Sequence, residues 1–206
     1  MVAFSHQRQF VDNLSQGAGE LGPLGTKYGE CYMKSKIEMS IENFIRTVFL
    51  HDLKVMIYDA NLHYLGFGTI SSGIEFLGAC IDDHPFSKPG ESKKRFKLGI
   101  DHFMSKIDSK YSQFNQESSP YYLYKYLRCG MAHIIRPNGQ VHFASRNRTN
   151  RNNIHLSIIG EILVLVCEDF YDHFAQSCKM LINELPSLSK PKLEAPYLTV
   201  INHKKI

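Results

Sequence analysis

The chain has 206 residues, enough for one core with appendages and too few for two large domains. A hydrophobic share of 43%, with 12% aromatic and 21% charged residues, excludes wholesale disorder. The net charge of +4, from 24 Lys and Arg against 20 Asp and Glu, is too small to separate a nucleic-acid binder from an ordinary globular protein.

Residues 3–14 are compatible with a short helix, and Gln16–Gly29, with five Gly and one Pro, reads as an irregular linker. Residues 1–39 are therefore expected to form an N-terminal segment ahead of a helical domain over 40–185. From Ser40, a plausible N-cap, the residues Ile41, Phe44, Ile45, Val48, Phe49, Leu53 and Ile57 recur at three- and four-residue steps and predict an amphipathic helix to about Asp59. Gly66 and Gly68 break the pattern. A second helix is expected from about Ser71 to Asp83, and a third from Ser92 to Lys110 with Phe96, Ile100, Phe103, Met104 and Ile107 on its apolar face.

A fourth helix is expected to open at Ser118-Ser119-Pro120 and to run as YYLYKYLRCGMAHII up to Pro137, apolar on nearly every side. Asn138-Gly139 is a hairpin signal, with Gln140–Ala144 alternating as a strand after it. Alternation at Ile154, Leu156 and Ile158, then at Ile162, Val164 and Val166 around Gly160-Glu161, predicts a further hairpin. A last helix over Glu168–Leu185 has its acids in the first turn, where the helix dipole favours them. Residues 186–206, with three prolines, read as a loosely held tail. The class is mainly α, a helical bundle with a small β-hairpin appendage near residues 134–166.

No window comes near the roughly 20 uninterrupted apolar residues of a membrane span, and the first ten residues lack the basic-then-apolar order of a signal peptide. The five cysteines are widely spaced, with no C-x-x-C, which argues for reduced thiols. A cytoplasmic protein with no membrane partner is the expectation. Charge is unevenly spread: Ser118 to Gly160 holds no Asp or Glu but carries Lys125, Arg128, Arg136, Arg146, Arg148 and Arg151. Such a stretch attracts polyanions through counterion release, or simply keeps a loop solvated.

Gly17-Ala18-Gly19-Glu20-Leu21-Gly22 matches G-x-G-x-x-G, but no strand precedes it and Pro23 follows, so it reads as linker rather than a dinucleotide fingerprint. Asn13-Leu14-Ser15 and Asn147-Arg148-Thr149 match the glycosylation pattern, which a cytoplasmic chain does not use. Cys129 with His133, and Asp169 with Asp172 and His173, are fragments of ligand sets, neither complete, so no metal and no cofactor are expected. The remaining constellation is Arg128-Cys129-Gly130-Met131-Ala132-His133. Arg offers a permanently charged planar fork to a phosphate, and His moves protons near neutral pH. Together they suit RNA cleavage without metal, His acting on the ribose 2′-OH or the leaving 5′-oxygen and Arg stabilising the phosphorane. Five helical steps separate the two side chains by about 140°, so two copies facing each other converge better on one phosphate.

At these residues the chain resembles the HEPN domains, which carry an R-x4-6-H motif in toxin, abortive-infection and CRISPR-associated ribonucleases. The resemblance covers the helical body from Ser40 to Leu185, with LRCGMAH (Leu127 to His133) as its specific part. It implies a helical bundle, a homodimer with the motifs at its interface, and metal-independent endoribonuclease activity, with Arg128 and His133 as the catalytic pair. Cys129 stands where such motifs often carry Asn, Asp or His. On this reading Lys125, Arg136, Arg146, Arg148 and Arg151 hold the RNA backbone, and Tyr121, Tyr122, Tyr124 or Tyr126 stack on bases where exposed. Partners are a second copy, RNA, and a cognate antitoxin or regulatory protein. The alternative is a non-catalytic RNA- or protein-binding module, in which Arg128 pairs with an acid of the last helix, such as Glu168 or Asp172, and His133 is a satisfied interface histidine.

Overall fold

A computed structural model describes residues 40–146 and 154–188. The expected helix at 3–14, the linker, the tail beyond Leu188 and the residues Arg148 and Arg151 lie outside the described residues. Among the described residues there are six helices and three short strands: α1 (41–59), α2 (His63–Ile81), α3 (92–107), α4 (Lys110–Phe114), α5 (123–134), β1 (Val141–Ala144), β2 (Ser157–Ile159), β3 (Ile162–Val166) and α6 (Cys167–Glu184).

The start of α1 is a capped one, with Ser40 Oγ accepting the Asn43 N–H at 3.1 Å. Its buried stripe is Ile41, Ile45, Phe49, Leu53 and Ile57, a strict step of four. Such a step outruns the 3.6-residue period by about 40° per turn. Wider i→i+5 turns over Ile45–Asp52 and Val55–Asp59 absorb that drift and keep the stripe on one face. The same coincidence recurs in α3, where Phe96, Ile100 and Met104 meet wide turns at Ile100–Met104, and in α5, where Leu123, Leu127 and Met131 meet wide turns at Tyr124–Cys129.

The core helix is α2, which begins at His63 rather than near Ser71. Its glycines are packing positions, not breakers. A Cβ on Gly66 would lie 2.8 Å from Ile57 Cγ1, and one on Gly78 only 1.8 Å from the Arg95 carbonyl oxygen, so α2 meets its neighbours at backbone distance there. By length and composition α2 is long and apolar enough to cross a membrane, yet over half of its apolar window is buried within the bundle. α3 ends earlier than expected, because Asp108 turns extended and its Oδ1 accepts the Lys110 N–H at 2.9 Å to start α4. α5 starts at residue 123, after a turn in which Ser119 Oγ accepts the Tyr121 N–H at 3.2 Å, rather than at Pro120.

The strands form one sheet in the order β1-β3-β2. The hairpin around Gly160 is present, with Ile159 opposite Ile162 and Gly160 at φ 63°. Asn138-Gly139 forms no hairpin, and β1 instead pairs with β3 in parallel, Val141 opposite Leu163. The Asn-Gly turn serves to fold the chain back along α5: the Asn138 N–H donates to the Tyr126 carbonyl at 2.8 Å, and a Cβ on Gly139 would lie 2.7 Å from the Tyr126 ring. β3 is buried on both faces, as a central strand should be, and runs straight into α6. Phe143 of β1 stacks on Phe67 of α2 with centroids 3.8 Å apart, which ties the sheet to the bundle.

Candidate functional site

The R-x4-H segment occupies the second half of α5. Gly130 is required there, since a Cβ on it would lie 2.5 Å from the Arg136 carbonyl oxygen as the chain doubles back. The helix ends at Ile135, which adopts a left-handed conformation at φ 54°, a costly one for a β-branched residue. Tyr64 of α2 donates its hydroxyl hydrogen bond to the Ile135 carbonyl and holds this terminus in place. Between α2 and α5 lies an open groove of about 390 Å³, bordered by Met56, Leu65, Gly68, Ser72, Arg128 and Met131. Around it Leu62, Tyr64, Leu65, Ile134 and Ile135 are all exposed, Ile135 by 65%.

Arg128 lines this groove, its side chain 21% exposed. Nε donates to Glu75 Oε2 of α2 at 2.8 Å, and Ser92 Oγ donates to that same oxygen at 2.8 Å. The pairing of Arg128 with Glu168 or Asp172, considered under the alternative reading, is therefore corrected: its partner is Glu75, which the sequence did not single out. His133 is exposed one turn further along and is not among the groove-lining residues. No hydrogen bond joins it to Arg128 among the described residues. Lys125 is exposed, its ammonium 4.9 Å from the centre of the Tyr126 ring. Arg136 is exposed just past the helix end. Tyr122 is buried, while Tyr121, Tyr124 and Tyr126 are half-buried and pack against the core, so these rings serve the interior.

Arg146 sits elsewhere, at the start of α6. It donates to Asp169 and, at 2.8 Å, to Asp172, while its backbone N–H donates to Glu168 at 3.1 Å. Burial works against this cation, and the hydrogen bonds it donates to Asp169 and Asp172 outweigh it, so its affinity for its proton rises. Glu168, 3% exposed, also accepts from Ser145 Oγ at 2.8 Å and lies 3.3 Å from His63 Nε2. Tyr58 donates to Asp172 at 2.7 Å. Glu168 and Asp172 are thus engaged by Ser145, Arg146, Tyr58 and His63 rather than by Arg128.

Beside this cluster is a buried relay. The Val166 N–H donates to His155 Nδ1 at 3.1 Å, so that nitrogen carries no proton and the neutral ring has its proton on Nε2. His155 Nε2–H then donates to the Tyr111 oxygen at 2.8 Å, leaving the Tyr111 hydroxyl to donate to His173 Nδ1 at 3.2 Å. Burial, followed by the nearby His173, Lys110 and Arg146, lowers His155 to about 3. Burial also lowers His173, against the pull of Asp108, Asp169 and Asp172. Tyr111 is pushed well above the ordinary tyrosine value, chiefly by burial.

Cys80, Cys129, Cys167 and Cys178 form no disulfide. Burial, with Glu168 adjacent, pushes the Cys167 thiol up to about 12, so it is an inert core group. Among the described residues no group of three or more His, Cys, Asp or Glu is placed to hold a metal ion. Among the described residues the α2/α5 groove has a partly exposed guanidinium within an apolar rim, and the exposed His133 lies further along the same helix, outside the groove lining. No protein-family model matches the chain, and no curated protein or solved structure shows significant similarity to it.

Proposed function

We propose that the chain is a HEPN-like, metal-independent endoribonuclease, cytoplasmic and of the kind used in toxin or defence systems, acting as a homodimer whose joint cleft carries Arg128 and His133. The observation that carries this reading is the placement of Arg128 on an open groove, with solvent access and, among the described residues, only Nε engaged, with an exposed His133 further along the same helix. In the reaction His133 takes the ribose 2′-OH proton or gives one to the departing 5′-oxygen. Arg128 stabilises the charge on the phosphorane formed as the 2′-oxygen attacks phosphorus and the P–O5′ bond breaks, leaving a 2′,3′-cyclic phosphate and a 5′-hydroxyl. Arg128 and His133 diverge on one helix, so a second copy supplies the complementary pair. The exposed Leu65, Ile134 and Ile135 give that contact its apolar area.

A second reading is favoured by one observation. The Arg128–Glu75 ion pair ties α5 to α2, as expected of a structural arginine in a non-catalytic binding module. Incubation with mixed single-stranded and structured RNA in EDTA separates the two. Wild-type cleavage with cyclic-phosphate ends, lost in Arg128→Ala and His133→Ala proteins of normal circular dichroism and size, supports the ribonuclease. No cleavage, or equal cleavage by all three, leaves the module.

A further inference from the structure

Two arginines anchored to acids show what Arg128 keeps in reserve. Arg95 is 5% exposed and spends its whole fork on the protein: Nε to Asp82 at 2.6 Å, Nη1 to the Phe86 carbonyl at 2.9 Å and Nη2 to the Pro85 carbonyl at 2.7 Å. Arg128 uses Nε alone, and its two terminal amino groups have no hydrogen-bond partner among the described residues. Glu75 Oε2, the acceptor, is itself held by Ser92 from the start of α3, so donors from two helices fix one oxygen. The remaining edge of the guanidinium belongs to a side chain that lines the groove beside Thr69 and Ser72.

We propose that Glu75 is the positioning residue of a phosphate site, gripping Arg128 by Nε, with Ser92 steadying Glu75, so that the outer edge of the guanidinium is presented as a two-pronged donor to a backbone phosphate of single-stranded RNA. The inference rests on reading Arg128 as the phosphate-binding group. It makes a prediction opposite in sign to general electrostatics. Removing a carboxylate beside a phosphate site should tighten binding if charge alone counted, whereas losing the grip on Arg128 should loosen it.

The test is fluorescence anisotropy of a short labelled 2′-O-methyl RNA, which binds but cannot be cleaved, run beside cleavage of the unmodified strand. Glu75→Ala is expected to weaken binding roughly tenfold, the worth of one hydrogen bond to a charged group. Glu75→Gln keeps an acceptor for Nε and is expected to recover most of that loss. Ser92→Ala, which leaves every charge in place, is expected to weaken binding about threefold, a smaller share of the same hydrogen-bond energy, and serves if Glu75→Ala does not fold. In an Arg128→Ala background Glu75→Ala should cost nothing further. Binding by Glu75→Ala as tight as or tighter than wild type, an unchanged Ser92→Ala, or an equal loss in the Arg128→Ala background would each overturn the inference. Absence of cleavage with this binding pattern intact would remove the ribonuclease reading and leave the role of Glu75 standing. Cleavage indifferent to Glu75 would do the reverse.

Discussion

The start of α6 and the α2/α5 groove both gather charged side chains, and they differ in how many hydrogen-bonding valences remain open. Around α6, Glu168 takes donors from Ser145 and Arg146, Asp172 takes Tyr58 and Arg146, and the relay from Val166 through His155 and Tyr111 to His173 uses each donor once. In the groove Arg128 makes a single hydrogen bond among the described residues, and Leu65, Ile134 and Ile135 are exposed near it. A polar cluster whose carboxylates are taken up by its own donors contributes to holding the fold. One that leaves a guanidinium edge open beside apolar surface is where we propose that a ligand binds.

The sharpest way to break this contrast is to delete an arginine from each kind of setting. Arg95→Ala removes the cation from a buried Asp82 carboxylate and is expected to cost about 3 kcal/mol in urea unfolding. Arg128→Ala, with both partners partly exposed, is expected to cost about 1 kcal/mol or less while abolishing RNA cleavage. Comparable losses from the two would show that Arg128 is also a fastening residue.

A second expectation concerns acid. The folded chain holds His155 and His173 neutral to lower pH than the unfolded chain does, so unfolding takes up protons below the ordinary histidine range. Stability is therefore whole above about pH 6.5 and declines as pH falls toward the folded value of about 3 for His155. By pH 5 that histidine alone should remove about 2 kcal/mol. Urea titrations at pH 5 and 8 check the figure. A His155→Asn protein, able to accept the Val166 N–H, should show a flatter profile between them, and an unchanged slope would place the acid sensitivity elsewhere.

The smallest effect concerns the end of α5. Replacing Ile135, exposed and left-handed, by Gly is expected to stabilise the protein by about 1 kcal/mol in thermal unfolding. A loss instead would mean that its side chain contributes more than its backbone costs.

Much of the helical body was legible because burial follows spacing, as in α1, where Ser40 and the step of four from Ile41 to Ile57 mark both the cap and the buried face. The glycines of α2 misled because Gly lowers helix propensity whether it breaks a helix or lets one pack closely, and only the neighbouring Ile57 and Arg95 backbone distinguish the two. Asn138-Gly139 signalled a tight turn correctly but not what the turn connects, since β1 finds its partner β3 across a long connection. The motif placed Arg128 and His133 on one helix, yet Glu75 lies 53 residues before Arg128 with no local pattern to announce it. Acids nearer in expectation, Glu168 and Asp172, were already claimed by Ser145, Arg146 and Tyr58. His155 and His173 likewise come together only in the fold, bridged by Tyr111 and with their rings 5.3 Å apart.

The central claim is that RNA engages the α2/α5 groove. Its most direct test is an NMR titration of isotope-labelled protein with uncleavable 2′-O-methyl RNA, following backbone amides and arginine Nε–H signals together. The account predicts that Gly68, Thr69, Ser72 and Met131 shift along with the Arg128 Nε–H, while the amides of Glu168, Asp169 and Asp172 stay in place. Shifts confined to the start of α6 and Arg146, with the Arg128 signal unmoved, would contradict it.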